Sequence, residues 1–76
     1  MRAFVLIKIR AGEVSDVVRQ LRELPEITEA RMTFGPYDAV AIVDSQDLSS
    51  IGSLIASTIQ PISGVEQTLT CLAADE

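Results

Sequence analysis

The sequence predicts an α+β sandwich: a four-stranded antiparallel sheet with two helices on one of its faces. Three observations predict it. The apolar pattern switches between the two-residue period of strands and the 3.6-residue period of helices, in the order β-α-β-β-α-β. A Gly-Pro pair, Gly35-Pro36, falls at the midpoint and reads as a turn joining two similar halves. The first and third strands, residues 3–9 and 39–43, are apolar on both alternating faces, as central strands covered on two sides are.

Each element follows from its own pattern. In the first strand Ala3, Val5, Ile7 and Ile9 share one face, while Phe4 and Leu6 begin the other before Lys8 and Arg10. Gly12 is the expected N-cap of the first helix, with Glu13 and Asp16 near the positive end of its dipole. Val14, Val17, Val18, Leu21 and Leu24 recur at helical spacing, with Arg19, Gln20, Arg22 and Glu23 opposite. Pro25 ends this helix, because the residue before a proline is driven out of the helical region.

Residues 27–34 set Ile27, Glu29, Arg31 and Thr33 against Thr28, Ala30, Met32 and Phe34. That alternation predicts a half-buried edge strand whose charges discourage stray pairing. Beyond the third strand, Ser45 or Asp47 caps the second helix, and Leu48, Ile51, Leu54, Ile55 and Ile59 form its apolar stripe. Gly52 inside that helix costs about 1 kcal/mol against Ala, so close approach of another backbone is expected there. Pro61 and Gly64 end the helix. The last strand, 65–73, carries Val65, Gln67, Leu69 and Cys71 on one face and Glu66, Thr68, Thr70 and Leu72 on the other. Right-handed crossovers then give the ferredoxin-like βαββαβ sandwich, one domain over residues 1–76.

A chain of 76 residues builds a modest core, yet 47% of its residues are apolar. The helices of so short a chain cover one side of the sheet, so the other side is expected to meet a partner subunit. No staple compensates: Cys71 stands alone and histidine is absent, so neither an internal disulfide nor a structural zinc site is expected. The opening apolar run is far shorter than the roughly 20 residues of a membrane span, and a soluble, cytoplasmic protein is expected. Net charge is -5, and all 6 basic residues lie at or before Arg31. That is no basic stripe for phosphates, so direct nucleic-acid binding is not expected.

No catalytic set emerges. Cys71 has no base to activate it and reads as a small buried hydrophobe. Asp38 and Asp44 flank one strand, roughly 20 Å apart, too far for a carboxylate pair. The hydroxyls of Ser49, Ser50, Ser53, Ser57 and Thr58 are the polar face of a helix. Tyr37, Asp38, Thr68 and Thr70 remain. Two readings of them stand. One is packing over a turn plus the strand preference of Thr. The other is recognition of a small zwitterion, with Asp38 for its ammonium and hydroxyls or free N–H groups for its carboxylate.

At these residues the chain resembles the ligand-binding (RAM) domain of the Lrp/AsnC "feast/famine" transcriptional regulators. The resemblance runs from Phe4 to Leu72. It rests on the Gly-x-Tyr-Asp turn (Gly35-Pro36-Tyr37-Asp38), the Gly-Val-x-x-Thr-x-Thr pattern from Gly64 to Thr70, and the helix exit Leu24-Pro25-Glu26-Ile27. It implies sheet-to-sheet dimers with a barrel-like α/β form, assembled further into octamers or similar rings. It also implies an amino-acid effector bound between dimers, with Gly35, Tyr37, Asp38, Gln67, Thr68 and Thr70 as the pocket residues, and no cofactor, metal or catalysis. Regulators of this family carry a helix-turn-helix domain before this one. Here the sheet begins at residue 3, so a stand-alone effector domain that co-assembles with full-length regulators is expected. The competing readings are a purely structural oligomerisation domain and a small dimeric α+β-barrel monooxygenase, an enzyme class that usually presents His, Asn or Trp in its sheet pocket; this chain has none. An ACT domain is a poor match at Arg10-Ala11-Gly12-Glu13, and an RNA-recognition module would show more aromatics than Phe4 on its central strands.

Overall fold

The computed structural model describes residues 1–75. The β-branched run of β1 (Arg2–Ile9) is the spine of the sheet, flanked by β3 (Ala39–Asp44) on one side and β4 (Val65–Leu72) on the other. The strand β2 (Ile27–Met32) closes the edge beyond β3, giving the antiparallel order β2-β3-β1-β4. This is the expected ferredoxin-like fold, with the two doubly apolar strands central. The helices α1 (Val14–Arg22) and α2 (Leu48–Leu54) bury Val17, Val18 and Leu21, and Ile51 and Leu54, against the inward residues Ala3, Val5, Ile7 and Ile9 of β1 and Ala39, Ala41 and Val43 of β3. On the opposite face Phe4, Leu6, Val40 and Ile42 are only half-buried, because no helix covers them.

The chain departs from its own patterns at several points. The N-cap of α1 is Glu13, not Gly12, which lies in the preceding turn. Asp47 caps α2 by accepting the Ser50 N–H at 2.8 Å. Leu48, placed on the apolar stripe by sequence, is 55% exposed at the first position of α2. No atom comes within 4 Å of a Cβ built at Gly52, so within the chain no backbone makes the expected close approach. After Leu54 the helix widens into a π-helical turn, Ile55–Ile59, with the Gln60 N–H bonded to the Ile55 carbonyl at 2.8 Å. Apolar residues four apart drift by about 40° per step around an α-helix. The wider turn takes up that drift and leaves Ile59 fully buried beneath the stripe of Ile51 and Ile55.

Two bulges also alter which side chains share a face. Between Ile27 and Glu29 the pairing of β2 with β3 slips by one residue. Ile27 and Ala30 therefore both point into the core, in place of strict alternation. The extra residue, Thr28, donates its hydroxyl to Asp44 at 2.9 Å. A second slip, between Lys8 and Ile9, does the same to β4. Thr68 and Thr70 then sit opposite Ile7 and Val5 on the helix side, whereas Gln67, Leu69 and Cys71 lie on the uncovered face. Cys71, expected to be buried, is exposed there.

Gly64, at φ +103°, is buried where β4 begins; a Cβ there would lie 3.0 Å from Glu13 Oε1 and 3.2 Å from Val17 Cγ2. Gly35 has φ +139° but open space around it. Gly64→Ala is therefore expected to lower unfolding stability by at least about 2 kcal/mol, and Gly35→Ala by about 1 kcal/mol, in urea titrations. Equal losses would contradict this packing.

At the far end of β3, the Arg2 guanidinium donates to both Asp44 carboxylate oxygens, at 2.9 and 3.0 Å. These bonds, then the Thr28 hydroxyl, hold the Asp44 carboxyl down to about 2 from its ordinary 3.8. A carboxyl more acidic in the folded than in the unfolded chain stabilises the fold above its unfolded value and loses that contribution as pH falls through its folded one. Melting temperature should therefore fall between about pH 4 and pH 2 with a component that Asp44→Asn removes. The pair is exposed and screened, so that component is small, and the substitution should change stability near pH 7 by the same small amount.

Candidate functional site

The hairpin between β2 and β3 is closed by the Thr33 N–H bonding to the Asp38 carbonyl at 3.0 Å and by the Thr33 hydroxyl bonding to the Tyr37 carbonyl at 2.8 Å. Gly35 supplies the positive φ of the turn, and Tyr37 is half-buried. Asp38 has a structural task. β1 runs on past its last pair with β3, Ile7 with Ala39, and the Ile9 N–H beyond it meets no strand on that side. Asp38 Oδ2 accepts that N–H at 2.8 Å, while the Asp38 N–H donates to the Ile7 carbonyl at 2.9 Å. The side chain thus adds a rung to the ladder. Its other carboxylate oxygen, Oδ1, makes no hydrogen bond among the described residues.

Asp38 also borders a cleft of about 480 Å³ between the hairpin and the first turn of α1, lined otherwise by Val14, Met32, Thr33 and Phe34. Met32 pairs with Ala39 and so faces the helix layer, but α1 starts too far along to cover it, and it stays exposed. Phe34, at the hairpin, is fully exposed. Sequence reasoning did not nominate Val14, Met32 or Phe34. The placement of Met32 and Phe34 on one strand face was legible, but the gap left by the start of α1 was not.

The other nominated residues lie elsewhere. Thr68 pairs with Ile7, which pairs in turn with Ala39, so β1 stands between Thr68 and the start of β3, a backbone separation of roughly 10 Å. The Thr68 hydroxyl accepts from Gln60 Nε2 at 3.1 Å, an exposed bond on the helix side of the sheet. Thr70 lies two pairs further along, opposite Val5, and Gln67 faces the opposite side of the sheet, opposite Lys8. Within one chain, then, Gly35, Tyr37 and Asp38 form one cluster, and Thr68 and Thr70 form another.

At the end of the sheet away from the hairpin, a groove of about 540 Å³ gathers Ser45, Ser49, Ser53, Ser57 and Thr58 with Glu26, over Val43 and Leu54. Apart from Ser45, these are helix hydroxyls, and with Ser50, which also lines the groove, they make up the set read as a polar face. No cation or nucleophile–base pair accompanies them. Among the described residues no cluster of His, Cys, Asp and Glu is placed to hold a metal ion, and no helix is long and apolar enough to cross a membrane.

Comparison with known proteins agrees with this architecture. The HTH-type transcriptional regulator FL11 of Pyrococcus horikoshii is 40% identical over 75 residues, which is 95% of this chain and 47% of that protein. This chain thus spans about half the length of the curated relatives it matches. The crystal structure of TTHA0845 from Thermus thermophilus superposes with a TM-score of 0.93 at 36% identity, over 99% of this chain and 94% of that one. A transcriptional regulator of Neisseria meningitidis, crystallised as a complex with L-Met, shares the fold at a TM-score of 0.88 and 19% identity, over 99% of this chain and 50% of that one. The model of the Lrp/AsnC ligand-binding domain matches residues 2–76, and the chain belongs to that family.

Proposed function

We propose that this domain binds a free amino acid at the β2–β3 hairpin and that the site is completed by a second dimer. Membership of a regulatory ligand-binding family makes its role effector recognition in transcriptional control, not catalysis. The observation that carries the finer reading is the half-built site. Asp38 offers a carboxylate oxygen to an ammonium, while the hydroxyls that would meet a carboxylate, Thr68 and Thr70, are held apart from it by β1. A neighbouring copy bringing its own β4 or hairpin to the cleft supplies what one chain lacks.

The uncovered sheet face supports the dimer on which such a ring would be built. Phe4, Leu6, Val40, Ile42, Leu69 and Cys71 form an apolar field there. Its margins carry the ion pairs Arg2–Asp44 and Glu29–Arg31, at 2.9 and 2.7 Å. An apolar centre with a charged rim is the anatomy of a subunit interface. Effector binding then shifts the balance between assemblies in proportion to its preference for one of them, and co-assembly with full-length regulators carries the signal to transcription. The setting for this is the cytoplasm.

A panel of amino acids screened by thermal shift, with mass followed by light scattering, tests the proposal. At least one amino acid should raise the melting temperature and alter the assembly. Asp38→Asn retains an oxygen for the Ile9 N–H, so it should fold normally and lose the ligand-induced shift. Asp38→Ala removes the acceptor and should cost about 1–2 kcal/mol even without ligand. An oligomer indifferent to every amino acid would leave a structural assembly domain. A monomer would remove the shared site.

A further inference from the structure

The geometry points to a selective cleft: we infer that the effector is an amino acid with an apolar side chain, and that Val14 is a specificity-determining residue. The inference rests on the reading of the hairpin as an effector site and adds the class of ligand it prefers.

The cleft holds one ionised group and three large apolar side chains. Asp38 borders it, with Oδ2 committed to the Ile9 N–H and Oδ1 left over. Val14 forms the wall on α1, while Met32 and Phe34 come from β2 and the hairpin. Thr33, the remaining lining residue, turns its hydroxyl back to the Tyr37 carbonyl and so offers no free donor. An ammonium placed against Asp38 therefore leaves the rest of its molecule beside hydrocarbon and a thioether, and the only other polar side chain this chain puts in the lining is Thr33, whose hydroxyl can still accept. A volume of about 480 Å³ is ample for one amino acid and falls within the range of about 300–1,000 Å³ usual for small-molecule sites.

The discrimination follows from what each class would lose. A leucine, methionine or phenylalanine side chain buries apolar surface against Val14, Met32 and Phe34. An asparagine, aspartate or lysine side chain would give up water partners and find few replacements on the wall this chain supplies, which is mostly Val14, Met32 and Phe34. Aspartate would also meet the Asp38 carboxylate. Met32 and Phe34 are exposed in the single chain, so an apolar ligand covers surface that the fold leaves wet. Val14 packs against the margin of the core but is only partly buried, at the first position of α1, where an acidic residue suits the helix dipole.

The test is isothermal titration of the protein with L-Leu, L-Met and L-Phe against L-Asn, L-Asp and L-Lys, repeated on Val14→Asp and Met32→Lys after circular dichroism has confirmed their folds. The unaltered protein should bind the best apolar amino acid at least about tenfold more tightly than any polar one. Val14→Asp should weaken that ligand about tenfold and raise the relative affinity for L-Lys, whereas Met32→Lys should weaken it without favouring L-Lys. Equal or tighter binding of the polar set, or an unchanged preference in both variants, would overturn the inference while leaving an amino-acid site at the hairpin. Absence of binding by every amino acid would overturn it together with the reading it rests on.

Discussion

The constraint on which the rest depends is that β1 and β3 are apolar on both faces while the chain has helices for only one. Val5 and Ile7 point into the helix layer and are wholly buried, and Phe4 and Leu6 point the other way and are not. Apolar area is the main favourable term in folding, roughly 25 cal/mol per Å² removed from water. A domain of this size has little of it to leave unused. The fold thus meets half of its own hydrophobic demand through α1 and α2, and the remaining half is an outward-facing surface. The buried core and the uncovered apolar surface are thus two sides of the same two strands.

Much of this was legible in the residues. Alternation in 3–9 and 39–43 identified the central strands, and the Val14–Leu21 periodicity identified α1, because burial on a regular element imposes its period on the sequence. What escaped was every feature that breaks a period. The slip at Thr28 sends Ile27 and Ala30 to the same side, and the slip near Ile9 determines which β4 residues face the helices. Such slips are decided by pairing between distant strands, and a single strand's pattern does not encode them. The π-helical turn at Ile55–Ile59 is similar: its residues read as ordinary helix, and only the packing of Ile59 against the sheet requires the wider turn.

The site shows the same division. Tyr37 and Asp38 were singled out because a phenol and a carboxylate after Gly-Pro need a reason to be there. The reason given by the fold is partly mechanical, since Asp38 completes the β1 ladder at Ile9. That task and ligand recognition are not rivals. A carboxylate has two oxygens, and fixing one by a backbone N–H orients the other. Val14, Met32 and Phe34 drew no attention because apolar residues are expected in strands and helices; it is the position of α1's first turn that leaves them lining a cleft.

The crowding at Gly64 has a further meaning. The Gly64 carbonyl is bonded to the Arg10 N–H at 2.8 Å, and a side chain on its α-carbon would run into Glu13, next to Val14, and Val17, one turn further along α1. The start of α1, which carries Val14, and the root of β4, the strand that carries Thr68 and Thr70, thus meet at a position with room for a hydrogen but not for a side chain.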